Sequence, residues 1–548
     1  MSGPPAHPGL YRHPTRSEII EQAVAEGHDA DIPTSVGSLR QISSNVSTPH
    51  AASKSPHPTA ATTDLEKGAI SSDEDGEIEE INEEEEDPDV VFWDGPNDPE
   101  NPMNWPANKR WGTVAVVSGL TFLTPLASSN FAPGVPEVMK DFHSTSDLLS
   151  GFMVSVYVLG FAFGPMIIAP LSEIYGRLPL YHTCTVIFLI FTVAAGVSTN
   201  MTMFIVFRFI MGSFGAAPMV LGGGTIADLI SREQRGTAMS VWMMGPTIGP
   251  CVGPIIGGFL TQAKGWRWNF YFVAIVGGAF LIGAIIFMKE TSAPVILERK
   301  AKRLRAETGN PKLRSKLASD LSTNDLFKFS IARPLKMLFL SPICFAISVY
   351  IAITYAYLYI LFTTFTRVFS TQYHWTGGII GLSFLGLGIG SLTGQIVFTH
   401  FGNRLTQKHM ERGDFVPEHR LYIMTPGAIL LPIGFFIYGW GVQYHVHWIV
   451  PLIGTWFVGF GLMLIFMPST TYLVDVFTIH AASAMAASTV LRSLCAAFIP
   501  LSSEKMYAAM GYGWGNSLLG FVGFACAPIP FLFIKYGDRI RGKSTLIL

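Results

Sequence analysis

Two arginines lie inside long apolar runs of this 548-residue chain: Arg208, in a run from about 202 to 226, and Arg492, in one from about 481 to 505. A cation at the centre of a hydrocarbon layer costs at least about 2.5–3.5 kcal/mol unless it faces a polar cavity or a partner. A guanidinium held there can bind an anion, tie down a helix end, or respond to a proton carried by a neighbour. Arg208 is about six residues from the end of its run, within reach of snorkelling, whereas Arg492 is about twelve residues in, near mid-depth. Asp228 follows Arg208 by 20 residues, about 30 Å along a helix, so any linkage between the two must run through conformation. Every carboxylate after residue 110 falls in a connection or at a helix end, with Glu504 the nearest to an exception. A pocket for polycations would need buried acids, and the runs offer none. Aromatic residues are plentiful, and Tyr157, Phe161, Tyr355, Tyr359 and Phe362, with Asn130 and Arg492, are the candidates for lining a cavity.

Two further clusters carry a mechanical rather than a chemical signal. Gly245, Gly249, Gly253 and Gly257 recur every four residues and share one helix face, interleaved with Pro246, Pro250 and Pro254 and followed by Gly258. A face without side chains lets another backbone approach closely, and the prolines permit bending. A deformable interface between two moving halves is expected there, with a matching stripe at Gly386, Gly390 and Gly394. In the stretch Ala169 to Arg177, Glu173 and Arg177 are four residues apart around Gly176, where a carboxylate and a guanidinium can tie helix termini together. Gly537 to Ser544 matches a phosphate-binding loop letter for letter, but that loop works only between a strand and a helix, so the match is refused.

The elements that must position these residues are membrane helices. Only 14% of the chain is charged and 49% is apolar, far from the composition of a soluble enzyme. Twelve apolar runs are long enough to cross a hydrocarbon core of about 30 Å: roughly 111–132, 147–168, 180–198, 202–226, 237–260, 268–288, 338–365, 375–399, 420–441, 448–472, 481–505 and 515–536. The long connection 289–337 divides them six and six. Residues 1–110 hold 22 acidic and 7 basic side chains, and residues 111–548 hold 17 acidic and 30 basic. The basic residues fall mainly in the connections on the side of both termini, which places those in the cytosol. The expected organisation is a disordered acidic tail (1–110), a six-helix bundle (111–288), a basic loop with amphipathic helices such as Leu297 to Arg305 (289–337), a second bundle (338–536) and a short tail (537–548). A trace of duplication links Asp228 and the residues after it to Asp475, 247 residues later. Five scattered cysteines suggest neither disulfides nor a metal cluster.

These features resemble the twelve-helix drug:proton antiporter branch of the major facilitator superfamily in its fungal form, over Asp98 to Arg541. Gly249, Gly253, Pro254, Gly257 and Gly258 are similar to its antiporter motif, Leu171 to Arg177 to its gating motif, and Arg208 and Gly212 to its helix-4 motif. The resemblance implies an all-α integral membrane protein with two pseudo-symmetric six-helix bundles that expose a central cavity alternately to either side. It implies proton-coupled efflux of small amphipathic molecules such as drugs, fungicides, toxins or secondary metabolites, and no enzyme activity. The expected partners are protons, the lipid bilayer and a neutral or weakly anionic aromatic substrate. No nucleic acid is expected, and no cofactor beyond the proton gradient. Arg208 and Asp228 would couple protons, Glu173, Gly176 and Arg177 would form the inner gate, and the glycines would form the hinge. A monomer in the plasma membrane, rather than the vacuolar membrane, is expected. The alternative is an importer or facilitator of the same fold for a nutrient or polyamine.

Overall fold

The computed structural model describes residues 89–543 other than Pro96 and residues 318–322. The acidic tail up to residue 88 and the last residues, 544–548, lie outside the described residues. Backbone groups in hydrocarbon must be satisfied within their own segment, which leaves helices as the solution for long apolar runs. Spans 1 to 6 are Ala107–Ser129, Asp147–Tyr175, Arg177–Gly196, Met201–Leu229, Arg232–Lys264 and Arg267–Phe287. Span 7 is Pro342–Gln372, and span 8 is Leu385–Val397 preceded by the turn Ile379–Leu382. Spans 9 and 10 are Met424–Gln443 and Ile449–Phe477. The apolar helical run that follows, Ala481–Gly537, is 57 residues long, about 85 Å at helical rise and far too long for one crossing. It turns at Gly511, whose φ of 72° and ψ of 173° are non-helical, so it supplies spans 11 and 12.

Local signals explain the boundaries. Side chains of Ser146, Asn200 and Ser341 accept hydrogen bonds from the backbone N–H three residues on and cap spans 2, 4 and 7. Gly176, at φ +95°, ends span 2 and turns directly into span 3; a Cβ there would sit 2.3 Å from Glu290 Oε2. Ile275, Ile282, Ile285 and Ile286 on span 6 are exposed, as a lipid-facing surface should be. Gly537 to Lys543 continues the last helix, Pro528–Lys543, rather than forming a loop, which agrees with refusing the phosphate-loop match.

Spans 1–6 and 7–12 form two bundles that repeat the same contacts. In the first, Gly160, Gly164 and Gly212 bring the backbones of spans 2 and 4 together. In the second, Gly386, Gly390 and Gly394 lay span 8 on the carbonyls of Leu452, Trp456 and Phe460 in span 10. Twelve crossings return the chain to the face it started from, so the start of span 1, the central segment and the end of span 12 share one face, the basic face.

The central segment forms the amphipathic helix Ala293–Thr308, containing the expected Leu297 to Arg305, and the helix Thr323–Leu340. Residues 89–106, expected to be disordered, instead pack on the first of these helices. Val90 and Val91 pair in parallel with Arg314 and Ser315. Lys300, 5% exposed, reaches Asp98 at 3.2 Å and Asp94 at 2.7 Å. Burial alone would raise the Asp98 pKa, but the N–H groups of Asp94 and Glu100 and the Lys300 ammonium outweigh it and hold the carboxyl below its ordinary value. Lys300 is held above its ordinary value: burial opposes the charge, and the two aspartates more than offset that. Composition averaged over 110 residues hides this strap because it is short.

Candidate functional site

Span 1 ends at Ser129, so the carbonyls of Ala127 and Ser128 are among the last four of a helix, which lack partners along the helix. Arg208 of span 4, fully buried, supplies them: Nη1 donates to Ala127 O at 3.0 Å and Nη2 to Ser128 O at 2.9 Å. Its Nε donates to Met153 O at 3.2 Å and Nη2 to Val154 O at 3.4 Å, both in span 2. Phe131 and Tyr157 cover the guanidinium at 4.8 and 5.0 Å. Its charge is therefore met by carbonyl dipoles and two rings, at the negative end of a helix dipole, rather than by a carboxylate. An arginine does not release its proton in such a site, so it can orient a neighbour's proton transfer but not carry the proton itself.

Arg492 of span 11 is treated differently. Its guanidinium lies 5.0 Å from the Tyr355 ring and 5.2 Å from the Phe466 ring, and its Nε is buried without a hydrogen-bond partner. The two rings stack at 6.5 Å with 26° between their planes. Tyr355 meets Tyr359 at 5.5 Å, and Tyr359 Oη is 2.9 Å from Ser128 Oγ across the bundle boundary. The backbone of that same Ser128 accepts from Arg208. The two arginines found in the sequence thus belong to one connected set of residues, with Tyr355 and Tyr359 between them; Phe466 was missed because nothing in the sequence separates it from other apolar aromatics.

The remaining cavity candidates are buried in this conformation. Tyr157 donates to Thr124 O at 3.0 Å and meets Phe161 edge-on at 5.3 Å. Phe362 packs on Tyr359 and Phe384. Asn130 is 1% exposed and donates to Asn269 O at 3.0 Å; it ties span 1 to span 6 instead of lining an open surface.

At the basic face, the ion pair that Arg177 makes is with Asp228, at 3.1 Å, and not with Glu173. Glu173 is exposed in the last turn of span 2 and meets that guanidinium only through space. Asp228 is therefore a partner of Arg177 rather than of Arg208. Glu290, unmarked in the sequence, accepts from the N–H groups of Arg177 at 3.0 Å and Leu178 at 3.2 Å and caps span 3. The second bundle repeats the pair: Arg420, in the short helical turn Pro417–Ile423 that leads into span 9, binds Asp475, near the end of span 10. The weak duplication around Asp228 and Asp475 is thus matched in space.

The glycine stripe does not lie between the bundles. Cβ atoms at Gly249, Gly253 and Gly257 would meet Phe122 O at 2.7 Å, Leu126 O at 2.8 Å and Asn130 O at 1.5 Å, all in span 1 of the same bundle. The contact between bundles uses the neighbouring side of span 5. There Gly258 faces Gly378 and Gly381, and a Cβ on Gly381 would sit 2.4 Å from Pro254 O. Periodicity marks a shared face but not which neighbour covers it. Five hydrogen bonds between the bundles lie in the half away from the basic face: Ser128–Tyr359, Ser155–Ala497, Thr366–Ala132, Gln262–Gly378 and Arg367–Asp147. Arg367 also pairs with Glu504. That face is closed. Among the described residues no group of three or more His, Cys, Asp or Glu could hold a metal ion, and all five cysteines are free thiols.

Two six-helix bundles with mirrored contacts, latched on one face and carrying Arg208 and Arg492 within their spans, define an integral membrane protein built as two pseudo-symmetric halves. Residues 117–500 match the Major Facilitator Superfamily, and the chain belongs to that family. It is 51% identical to the MFS-type transporter penM of Penicillium rubens over 87% of this chain and 94% of that protein. It is 51% identical to the efflux pump radE of Floropilus chiversii over 84% and 86% of the two chains, and 47% identical to the MFS-type transporter atr4 of Stereocaulon alpinum over 89% of each. Among solved structures, the partially occluded inward-open form of the xylose transporter XylE from E. coli aligns at a TM-score of 0.59 and 18% identity, covering 78% of this chain and 98% of that one. At that identity the likeness concerns the fold alone. The chain is a membrane transporter, not an enzyme.

Proposed function

We propose that this chain exports small amphipathic organic molecules, of the secondary-metabolite, toxin or drug class, in exchange for protons. The basic face lies in the cytosol, the membrane is the plasma membrane, and the working unit is a monomer. The observation that carries this reading is the set of hydrogen bonds that latch the bundles at the face opposite the basic one, which leaves the basic half as the side from which a molecule in the cytosol would enter. The distribution of Lys and Arg supports that orientation, and the relatives named as transporters and an efflux pump support the direction.

In this scheme Arg208 keeps its charge and fixes the end of span 1 against span 2. The proton acts at Asp228, whose neutralisation would release Arg177 and loosen the basic face while the opposite latch opens. Glu173, Gly176 and Arg177 form the inner gate. The seam that slides is Pro254 and Gly258 against Gly378 and Gly381, and Gly249, Gly253 and Gly257 hold span 5 to span 1 as the bundle moves. The lack of acids among the described mid-depth residues favours neutral or weakly anionic substrates over polyamines. The test compares metabolites inside and outside cells with and without the gene, repeated with a protonophore. Export predicts compounds that accumulate inside on deletion and on protonophore treatment; compounds that fall inside on deletion would mean import.

A further inference from the structure

We infer that Arg492, Tyr355 and Phe466 form a subsite for the oxyanion of the substrate, a carboxylate or an acidic enol borne on an aromatic or lipophilic body. The inference rests on the transport reading for its physiological meaning. It starts from a contrast between two cations at membrane depth. Arg208 has four carbonyl acceptors around its guanidinium. Arg492 has two ring faces, at 5.0 and 5.2 Å, and a buried Nε with no acceptor.

Arg492 is 11 residues from Ala481, where span 11 begins, about 16 Å along the helix and thus near the middle of a 30 Å core. Snorkelling from there is impractical. Cation–π contacts are worth about 0.5–2 kcal/mol each, but they satisfy none of the N–H donors. Among the described residues no side-chain or backbone acceptor is hydrogen-bonded to this guanidinium. A buried donor without an acceptor is destabilising, so an acceptor brought by a ligand would relieve that cost at Arg492 Nε.

The geometry also selects the partner. A guanidinium presents its donors in one plane as a fork that fits the two oxygens of a carboxylate, or the two of a 1,3-dicarbonyl enolate, in parallel. The Tyr355 and Phe466 centroids are 6.5 Å apart and each about 5 Å from the guanidinium, so both rings lie to one side of it and leave the other side for the ligand; an apolar ring system attached to the anion would pack beside the stacked pair. A primary ammonium would meet like charge. The ring of Tyr359 and its bond to Ser128 join this subsite to the other bundle, so an anion seated at Arg492 would lie beside the boundary that must move.

The test measures binding to the purified full chain in detergent with four probes: 2-naphthoate, the acidic enol 2-(2-naphthoyl)cyclohexane-1,3-dione, neutral 2-naphthamide and 2-naphthylmethylammonium. In the wild type each anion should bind at least about tenfold more tightly than the amide, and the ammonium should bind no better than the amide. Naphthoate alone showing the preference would restrict the subsite to carboxylates, and the enol alone to enols. Arg492→Gln should bring anions and amide to within about twofold of each other, with amide affinity unchanged. Arg492→Lys should retain a reduced anion preference, and it stands in if the glutamine variant does not fold. Equal affinities in the wild type, no binding of either anion, or a preference that survives Arg492→Gln would overturn the assignment. Wild-type vesicles that bind naphthoate but do not move it under a pH gradient would count against the transport reading and leave the subsite standing.

Discussion

Substituting Gly381 by alanine separates the seam between bundles from the seams within them. Its added Cβ would lie 2.4 Å from Pro254 O and 2.9 Å from Ile255 Cα, both backbone atoms that no rotamer change can remove. Ordinary contact begins near 3.4 Å, so spans 5 and 8 must part by about 1 Å. Overpacking of this kind costs about 1–3 kcal/mol, and here the cost falls only on the conformation in which the two bundles touch at that face. The balance between conformations should therefore move about 5- to 150-fold toward opening of the latched face. Spin labels at Leu148 and Met510, both exposed and on different bundles at that face, would report it as a longer distance population, in a background with the native cysteines replaced. Gly257→Ala is the contrast: its Cβ would lie 1.5 Å from Asn130 O inside the first bundle, so it should lower thermal stability rather than shift the distances. Gly278→Ala, which meets nothing within 4 Å, should do neither. Unchanged distances in Gly381→Ala, or a Gly257→Ala protein as stable as Gly278→Ala, would refute the division of seams.

Arg208→Lys keeps the charge but cannot span both pairs of carbonyls, so proton-driven export should fall at least about tenfold and stability by about 2 kcal/mol or more; vesicle flux and thermal unfolding check both. Asp228→Asn removes the charge partner of Arg177 and should leave substrate binding within about threefold while making net export insensitive to an imposed pH gradient; export that still tracks the gradient would place the proton elsewhere. The strap of residues 89–106 should stay docked across neutral pH. Asp98, with a lowered pKa, loses its contribution only as pH falls through that folded value, below the ordinary carboxylate range. Lys300, with a raised pKa, loses its contribution only as pH rises through its own folded value, above the ordinary lysine range. Amide hydrogen-exchange protection, taken relative to the intrinsic rate at each pH, at Arg314 and Lys316, whose N–H groups donate to Asp89 O and Val91 O, should hold between pH 5 and 9; a loss of that protection in this range would contradict this.

The sequence is most informative where physics is local. Most span limits follow from apolar length, and capping side chains mark the starts of spans 2, 4 and 7; spans 2 and 7 run seven residues beyond the expected ends, to Tyr175 and Gln372, and span 8 becomes continuous helix only at Leu385. Arg208 and Arg492 were visible because a cation in an apolar run is expensive. Their opposite solutions were not visible, since the carbonyls that satisfy Arg208 belong to spans 1 and 2 and become free only because span 1 ends at Ser129. The glycine stripe had the right spacing and the wrong assigned neighbour. Asp228 and Arg208 are grouped as proton-coupling residues with any linkage left to conformation, and the ion-pair partner that folding brings to Asp228 is Arg177. Glu290 left no local signal: a carboxylate beside Lys289 at the end of span 6 reads as an ordinary terminal charge until span 3 starts against it. Asn130 read as a polar residue for a cavity, and its amide instead joins two helices.

The central claim is outward transport driven by inward proton movement, and its most direct test is the direction of proton flow. Purified protein in liposomes with a trapped pH indicator is given a compound identified in the metabolite comparison, on one side only and with no initial pH gradient. Movement of the compound down its gradient should drive protons the opposite way, with a pH change abolished by a protonophore. Protons moving in the same direction as the compound, or substrate flux with no proton movement, would contradict the account.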